Sequence, residues 1–160
     1  MEKTAHEIQK ERIREIEEKA EQLLEKCDVV TLASVNENGY PRICAVNKLK
    51  ANGFSEINFQ TSKRSKYHGK ATHFHNIPKA SVCYYLGGDS VTLIEDVEII
   101  HDMDVKKEFE QRCDTRFFKK GIADPRYVLL KFRVSEATFW IEGKFRTCKY
   151  KKYTDFRKGE

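Results

Sequence analysis

Short runs of β-branched and aromatic residues, joined by tight turns, are the feature that most restricts the fold of this chain. Val29 to Val35 reads VVTLASV, which favours a buried strand, and the Asn36-Glu37-Asn38-Gly39 segment after it is typical of a hairpin turn. Because no repeating β-α-β units are present, the pattern predicts a closed or split antiparallel barrel of about seven strands and disfavours a Rossmann sheet. The other runs with strand character lie at 40–49, 54–59, 80–86, 90–100, 127–134 and 137–142.

Three amphipathic segments predict helices beside this barrel, so the expected fold class is mainly β with flanking helices (α+β). In the first, Thr4 and Glu7 form a capping-box pattern, and apolar residues then recur every three or four positions up to Cys27. This N-terminal amphipathic helix is expected to pack on the barrel, because two heptads are too short for a coiled coil to stand alone. Shorter helices are expected over 63–75 and from residue 102 or 104 through Lys119.

Length and composition narrow the classes of protein that the chain can represent. Its 160 residues suit one domain, divided here into an N-terminal helix at 1–27, a barrel domain at 28–143 and a basic C-terminal tail at 144–160. No apolar run reaches the length of a membrane span, and the charged N-terminus lacks a signal-peptide core, so we expect a cytoplasmic protein. The five cysteines are odd in number and contain no C-x-x-C pair, which favours reduced thiols and predicts no metal site.

The stretch from Phe54 to Lys66 contains the residues that suggest a function. Its last six positions, Thr61 to Lys66, read TSKRSK and combine hydroxyls with cations at the start of a predicted helix. Neutral donors, fixed positive charge and free backbone N–H groups are what a phosphate monoester requires. The segment therefore predicts a phosphate-bearing ligand, with a solvated basic turn as the alternative.

The basic residues near the chain end admit a second functional class. The net charge is +5, and the cations after residue 143 alternate with Tyr150, Tyr153 and Phe156. Aromatic and basic residues in alternation can follow a single nucleic-acid strand, but a cationic terminus is more often a solvated tail. Nucleic-acid binding is therefore the less favoured interpretation.

Four segments of the chain match a known family in their order and spacing. They read TLASVNENGYPRICAV, INFQTSKRSK, NIPKASVCYY and VTLIEDVEII. Together they resemble the pyridoxamine 5'-phosphate oxidase-like family of FMN-binding split barrels, particularly its general-stress-protein type. The resemblance covers roughly Asp28 to Glu142 and implies a six- to seven-stranded antiparallel split β-barrel. A strongly basic Arg-x-His motif of the true oxidases is not recognisable, which lowers the expectation that pyridoxamine phosphate is oxidised.

The resemblance implies an FMN site along the second strand and the turn after the third. Arg42 would reach the phosphate from its strand, and Lys66 would close on it, with Lys63 and Arg64 as alternative cations. In this family the flavin lies at a two-fold dimer interface, so Trp140 is expected to approach it from the second subunit, unless it packs on the N-terminal helix instead. The cofactor-binding residues implied are Arg42, Ile43, Cys44, Ala45, Val46, Asn47, Gln60, Thr61, Ser62, Ser65, Lys66 and Trp140.

The expected function is accordingly that of an FMN-dependent oxidoreductase acting on an unidentified small molecule as a homodimer. The alternative is a non-catalytic flavin-binding or redox-sensing stress protein. A deazaflavin or haem remains open as the ligand in place of FMN. The flavin would carry the redox chemistry, so no catalytic acid or base is required.

Overall fold

The computed structural model describes residues 1–63 and 69–150. These residues form three α-helices and eight β-strands, with two short 3₁₀ turns at Glu110–Arg112 and Gly121–Ala123. No helix among them is both long and apolar enough to cross a membrane. In chain order the elements are α1 (Ala5–Glu25), β1 (Val29–Val35), β2 (Pro41–Asn52), β3 (Glu56–Ser62), α2 (Lys70–Asn76), β4 (Lys79–Leu86), β5 (Asp89–Ile100), α3 (Met103–Lys107), β6 (Tyr127–Arg133), β7 (Glu136–Ile141) and β8 (Lys144–Lys149).

Six of the strands close into an antiparallel barrel in the order β4-β1-β2-β3-β6-β5, because β5 pairs back onto β4. The strand β5 is long enough to serve three partners: residues 89–96 pair with β4, 97–100 pair with β6, and 90–94 also pair with β7. The strands β7 and β8 extend the sheet beyond the barrel. The predicted split barrel with flanking helices is therefore confirmed, and β8 adds a strand inside the segment expected to be a basic tail.

The turn between β1 and β2 forms where the sequence predicted a hairpin. The Asn36 side-chain oxygen accepts hydrogen bonds from the backbone N–H groups of Asn38 and Tyr40, and Gly39 adopts a φ of 81°. Only glycine takes such a left-handed φ at little cost, so this residue permits the tight reversal. The turn sets the register in which Ser34 lies opposite Arg42.

The helix α1 begins with the predicted capping box, in which Thr4 Oγ1 accepts from the Glu7 N–H and the Glu7 carboxylate accepts from the Thr4 N–H. Its second half packs against β4, β5 and β7, where Ala20 and Leu24 are buried and the Tyr84 hydroxyl donates to the Ala20 carbonyl at 3.1 Å. In the structure this helix therefore packs on the barrel, as predicted, and not as a coiled coil.

Two predicted helices have different bounds in the structure. Among the described residues of the segment expected to be helical over 63–75, the helix is Lys70–Asn76, and it begins after Gly69, whose backbone is extended. Residues 64–68 lie outside the described part of the chain. The helix expected to run through Lys119 ends at Lys107. Asp102 does cap it, but Asp114 accepts from the backbone N–H of Arg116, a local bond that competes with helix formation.

The segment between α3 and β6 covers the outer face of the barrel and buries a second, smaller cluster. Consecutive residues of β6 are buried, since Leu130 faces the main core while Leu129 faces this cluster. A register shift between Lys48 and Lys50 turns Leu49 of β2 toward the same cluster. The covering segment is thereby fixed beside the end of β3.

Candidate functional site

One cavity of about 670 Å³ lies where β2, the end of β3, the start of α2 and the segment after α3 meet. Its volume is in the range of small-molecule and cofactor sites. The structure brings nine of the predicted site residues together in its wall. These residues are Arg42, Ile43, Cys44, Ala45, Val46, Asn47, Gln60, Thr61 and Ser62.

The edge of β2 that faces the cavity is available to a ligand because β2 has only one strand partner there. Residues 41–47 pair with β1, whereas the pairing with β3 begins at Lys48. Among the described residues, the second edge of this half of β2 thus carries backbone N–H and C=O groups outside any strand ladder. Such groups form strong hydrogen bonds and require partners, so the edge can recognise a planar ligand with donors and acceptors on its rim.

Of the other three predicted site residues, two lie outside the described part of the chain and one lies away from this wall. Ser65 and Lys66, together with the alternative cation Arg64, fall outside the described residues, and the other alternative, Lys63, is exposed and does not line the cavity. Trp140 lies on β7, away from this cavity, with 45% of its surface exposed. It is not buried under α1.

The sequence analysis missed six residues that line the cavity, from α2 and from the covering segment. Gly69, Lys70 and His73 come from the start of α2, and Lys70 and His73 are three residues apart, so they share one helix face. The available signal was their Lys-x-x-His spacing within the predicted helix, which the sequence analysis did not use. The covering segment contributes Asp114, Phe117 and Phe118.

Lys70 is the lysine that lines this cavity among the described residues. Its Nζ donates to the carbonyl oxygens of Leu32 at 3.0 Å and Arg42 at 3.2 Å, and lies 3.4 Å from Ser34 Oγ. The Arg42 side chain is exposed at the same end of β2. One end of the cavity is therefore cationic.

At the other end, the cavity wall contains a carboxylate and two aromatic rings. Asp114 accepts hydrogen bonds from Arg116, and these bonds hold the pKa of the carboxyl group below its usual range. Phe117 and Phe118 contact each other edge to face with ring centroids 4.9 Å apart. This end is thus polar and ionised on one side and aromatic on the other.

Asp124 and Arg126 hold the aromatic wall in place. The buried Asp124 carboxylate accepts from the Arg126 backbone N–H and guanidinium at 3.0 to 3.1 Å. The guanidinium also donates to the Phe117 carbonyl at 2.9 Å and lies over the Phe117 ring. Through these contacts, the ion pair fixes the backbone and the ring of Phe117 together.

Loss of the Asp124–Arg126 ion pair is expected to weaken the pH dependence of the free energy of unfolding in acid. The Arg126 hydrogen bonds hold the pKa of Asp124 well below its usual range, so its stabilisation is present above the unfolded pKa of about 4 and lost as pH falls through the folded pKa. Asp124→Asn should therefore lower the free energy of unfolding at neutral pH, with the difference from the unmodified protein shrinking in acid. Urea unfolding of the variant and the unmodified protein, at neutral and at acidic pH, measures the difference in unfolding free energy. A difference that stays constant with pH would contradict the prediction.

Gln60 gives a direct indication that the cavity fits a hydrogen-bonding ligand. Its side-chain carbonyl oxygen is buried and has no hydrogen-bond partner among the described residues, although the residue lines the cavity. Buried polar atoms without partners are uncommon in folded proteins and call for an explanation such as a missing ligand. Together with the β2 edge and the cationic end, this side chain suits a phosphorylated planar cofactor.

Comparison with known proteins identifies the family of the chain. A family model described as pyridoxamine 5'-phosphate oxidase matches residues 16–141, which is most of the sequence. The chain belongs to the pyridoxamine 5'-phosphate oxidase family. The resemblance seen in the sequence is therefore confirmed, and the match includes the second half of α1, which that resemblance left out.

Several solved structures share the fold of this chain. A protein related to general stress protein 26 from Clostridium acetobutylicum superposes with a TM-score of 0.74 at 23% identity, covering 84% of this chain and 94% of the other. An FMN binding protein from Nostoc punctiforme gives 0.58 at 15% identity, covering 88% and 95%. A heme binding protein from Mycobacterium smegmatis gives 0.68 at 16% identity, covering 84% and 57%. No curated protein sequence matches the chain significantly.

Proposed function

We propose that this protein binds FMN in the cavity beside β2 and acts as a flavin-dependent oxidoreductase on a small molecule. The observation that carries the proposal is the edge of residues 41–47 that has no strand partner within the described part of the chain and faces a cavity with cations at one end. A ring system with donors and acceptors along its rim suits such an edge, and a phosphate suits the cations. The family membership and the Nostoc FMN binding protein support this choice of cofactor.

The phosphate of FMN would be held at the end formed by Lys70 and Arg42. A phosphate monoester carries roughly 1.5 to 2 negative charges at neutral pH, which two cations balance. The hydroxyls of Thr61 and Ser62 line the same cavity and can add neutral donors. Lys66 stays a predicted phosphate partner, and Lys70 is a competing one. Alanine variants of the two lysines distinguish these assignments.

The ring system of FMN would lie along β2 toward the aromatic wall. Gln60 offers its unpartnered carbonyl oxygen to a ligand N–H, and alternate backbone groups of 43–47 offer donors and acceptors. When bound, FMN would supply the electron-transfer chemistry, and the chain would orient the ring and restrict solvent access with Phe117 and Phe118.

The site is proposed to be completed by a second copy of the chain. Tyr85 pairs with Ser90, Ser90 with Trp140, and Trp140 with Phe145, so their side chains project from the same face of the sheet. The three aromatic side chains, which we call the aromatic row, are 68%, 45% and 68% exposed in the order of the chain. The next row on this face contains the small residues Cys83, Thr92, Thr138 and Thr147. A flat face with exposed aromatics and small neighbours suits a two-fold interface, across which Trp140 would approach the partner's flavin.

Binding of FMN is tested by the visible spectrum of the purified protein and by titration with added FMN. We expect flavin absorbance, or quenching of FMN fluorescence on titration. A protein that is colourless and takes up no FMN would refute the proposal, and a Soret band would indicate haem, as in the Mycobacterium relative. Turnover then separates the enzyme from a non-catalytic flavin module, because only the enzyme should pass electrons from a reduced nicotinamide to an acceptor faster than free FMN.

A negative charge in the aromatic row is expected to dissociate the dimer. Trp140→Asp should raise the dissociation constant by about thirtyfold or more, because a tryptophan that is an interface hot spot costs about 2 kcal/mol or more when it is lost. Sedimentation velocity measures the change, and FMN affinity should fall with it. Met103→Asp is the matched control, since Met103 is also exposed but lies on α3, outside the row. Equal dissociation in both variants would contradict the assigned interface.

A further inference from the structure

A buried polar pair lies directly behind Lys70. Ser34 of β1 and His73 of α2 are 1% and 8% exposed, and Ser34 Oγ lies 2.9 Å from His73 Nδ1. The Lys70 ammonium lies 3.4 Å from the same oxygen. His73 and Lys70 both line the cavity, so the pair connects its wall to the interior of the barrel.

The direction of these hydrogen bonds follows from what each group can donate. An ammonium only donates, so Ser34 Oγ accepts from Lys70 and can use its own hydrogen for His73 Nδ1. We therefore assign the neutral imidazole proton to Nε2, the nitrogen that lies 3.9 Å from a Glu37 carboxylate oxygen. Hydrogen bonds then run in one direction, from Lys70 through Ser34 to His73.

A serine, a histidine and a glutamate in one cluster also suggest a hydrolytic nucleophile, but the geometry does not suit that role. The Ser34 hydroxyl is buried, and its oxygen already receives the Lys70 ammonium. A nucleophile needs access to its substrate, which a hydroxyl that is 1% exposed does not have. The pair is instead arranged to hold Lys70.

We propose that His73 is a positioning residue that acts through Ser34 to hold the Lys70 ammonium at the anion-binding end of the cavity. This inference rests on the proposed function, in which Lys70 meets the phosphate. A free lysine side chain loses rotamer entropy when a ligand fixes it, and an acceptor that already holds the ammonium removes most of that loss from the binding step. Ser34 supplies the acceptor, and His73 orients its hydroxyl.

Binding of FMN and of riboflavin to matched variants tests the inference, because riboflavin lacks the phosphate. His73→Leu and Ser34→Ala should each weaken FMN binding by about tenfold, the size of one net hydrogen bond, and leave riboflavin binding unchanged. His73→Asn should retain FMN affinity, since its amide oxygen can take the place of Nδ1. His75→Leu is the control, because His75 lies on the same helix but is exposed. Equal losses for FMN and riboflavin, or no loss of FMN binding, would overturn the inference.

The double variant gives a second test, because both residues act along one path. Ser34→Ala combined with His73→Leu should bind FMN no more weakly than either single variant. Additive losses would show that the two residues act separately, and would overturn the inference. Thermal unfolding of each variant identifies any that fail to fold, and Ser34→Ala, which removes one oxygen, is the smallest change.

Inorganic phosphate separates failure of this inference from failure of the proposed function. Phosphate should raise the melting temperature of the unmodified protein and of His73→Asn more than that of His73→Leu or Ser34→Ala. If FMN does not bind but phosphate shows this order, the FMN proposal fails and the positioning role stands. If phosphate stabilises all four proteins equally, or none of them, the positioning role is refuted.

Discussion

Replacing Lys70 by alanine is expected to weaken FMN binding about tenfold to a hundredfold, because hydrogen bonds to charged groups are worth about 1.5 to 3 kcal/mol. Lys70 lines the cavity, and its ammonium is held at the end of β2 by the carbonyl oxygens of Leu32 and Arg42. A phosphate there would gain a cation that is already in place. Fluorescence titration with FMN measures the loss, and riboflavin should bind the variant as well as it binds the unmodified protein.

Two other lysines serve as comparisons for this prediction. Lys63→Ala should leave FMN affinity unchanged, because Lys63 is exposed and does not line the cavity. Lys66→Ala tests the assignment made from the sequence. A large loss with Lys66→Ala and none with Lys70→Ala would return the phosphate to the turn after β3. Lys70→Ala also removes the donor to the Leu32 and Arg42 carbonyl oxygens, which can lower the stability of the fold. Thermal unfolding of this variant is therefore measured as well.

Replacing Phe139 by alanine is expected to lower the free energy of unfolding by about 3 to 5 kcal/mol, the usual cost of truncating a buried aromatic residue. Phe139 of β7 is completely buried, and its ring contacts Phe54 edge to face with centroids 5.6 Å apart. Small domains are stable by only about 5 to 15 kcal/mol, so this one change removes a large part of the total. The melting temperature should fall by about 10 °C.

An exposed aromatic residue provides the control for the core variant. Tyr40 at the start of the β2 hairpin is 67% exposed, so Tyr40→Ala should change the free energy of unfolding by less than about 0.5 kcal/mol. Chemical unfolding of both variants gives the two values. An equal loss of unfolding free energy in the two variants would mean that burial does not explain the contribution of Phe139 to stability.

The sequence predicted most of the barrel because its strands are marked by local patterns. Alternating and β-branched runs placed β1 at Val29–Val35 with the observed bounds, and the Asn36–Gly39 turn fixed its hairpin with β2. The strand β8 was not predicted, because Lys144 to Lys149 is rich in cations and a cation-rich segment usually indicates solvent exposure. It forms as the last strand of an extended sheet, where pairing with β7 decides the conformation.

The candidate site was predictable only where the ligand-facing residues follow one another in the chain. Residues 42–47 and 60–62 lie in two short stretches, and the family resemblance identified both. Asp114, Phe117 and Phe118 come from a segment far along the sequence, which tertiary packing places against the end of β3. Ser34 and His73 form a contact between β1 and α2 that no local pattern shows.

The closing pairs of the barrel have a consequence for synthesis on the ribosome. Within residues 1–63 and 69–150, the second edge of β3, at Glu56–Ser62, pairs with β6, at Tyr127–Arg133. A nascent chain that has emerged as far as β5 therefore still presents an exposed apolar edge with Ile57 and Phe59. Until β6 has left the exit tunnel, that edge is where chaperone contact or misassembly between neighbouring chains should concentrate.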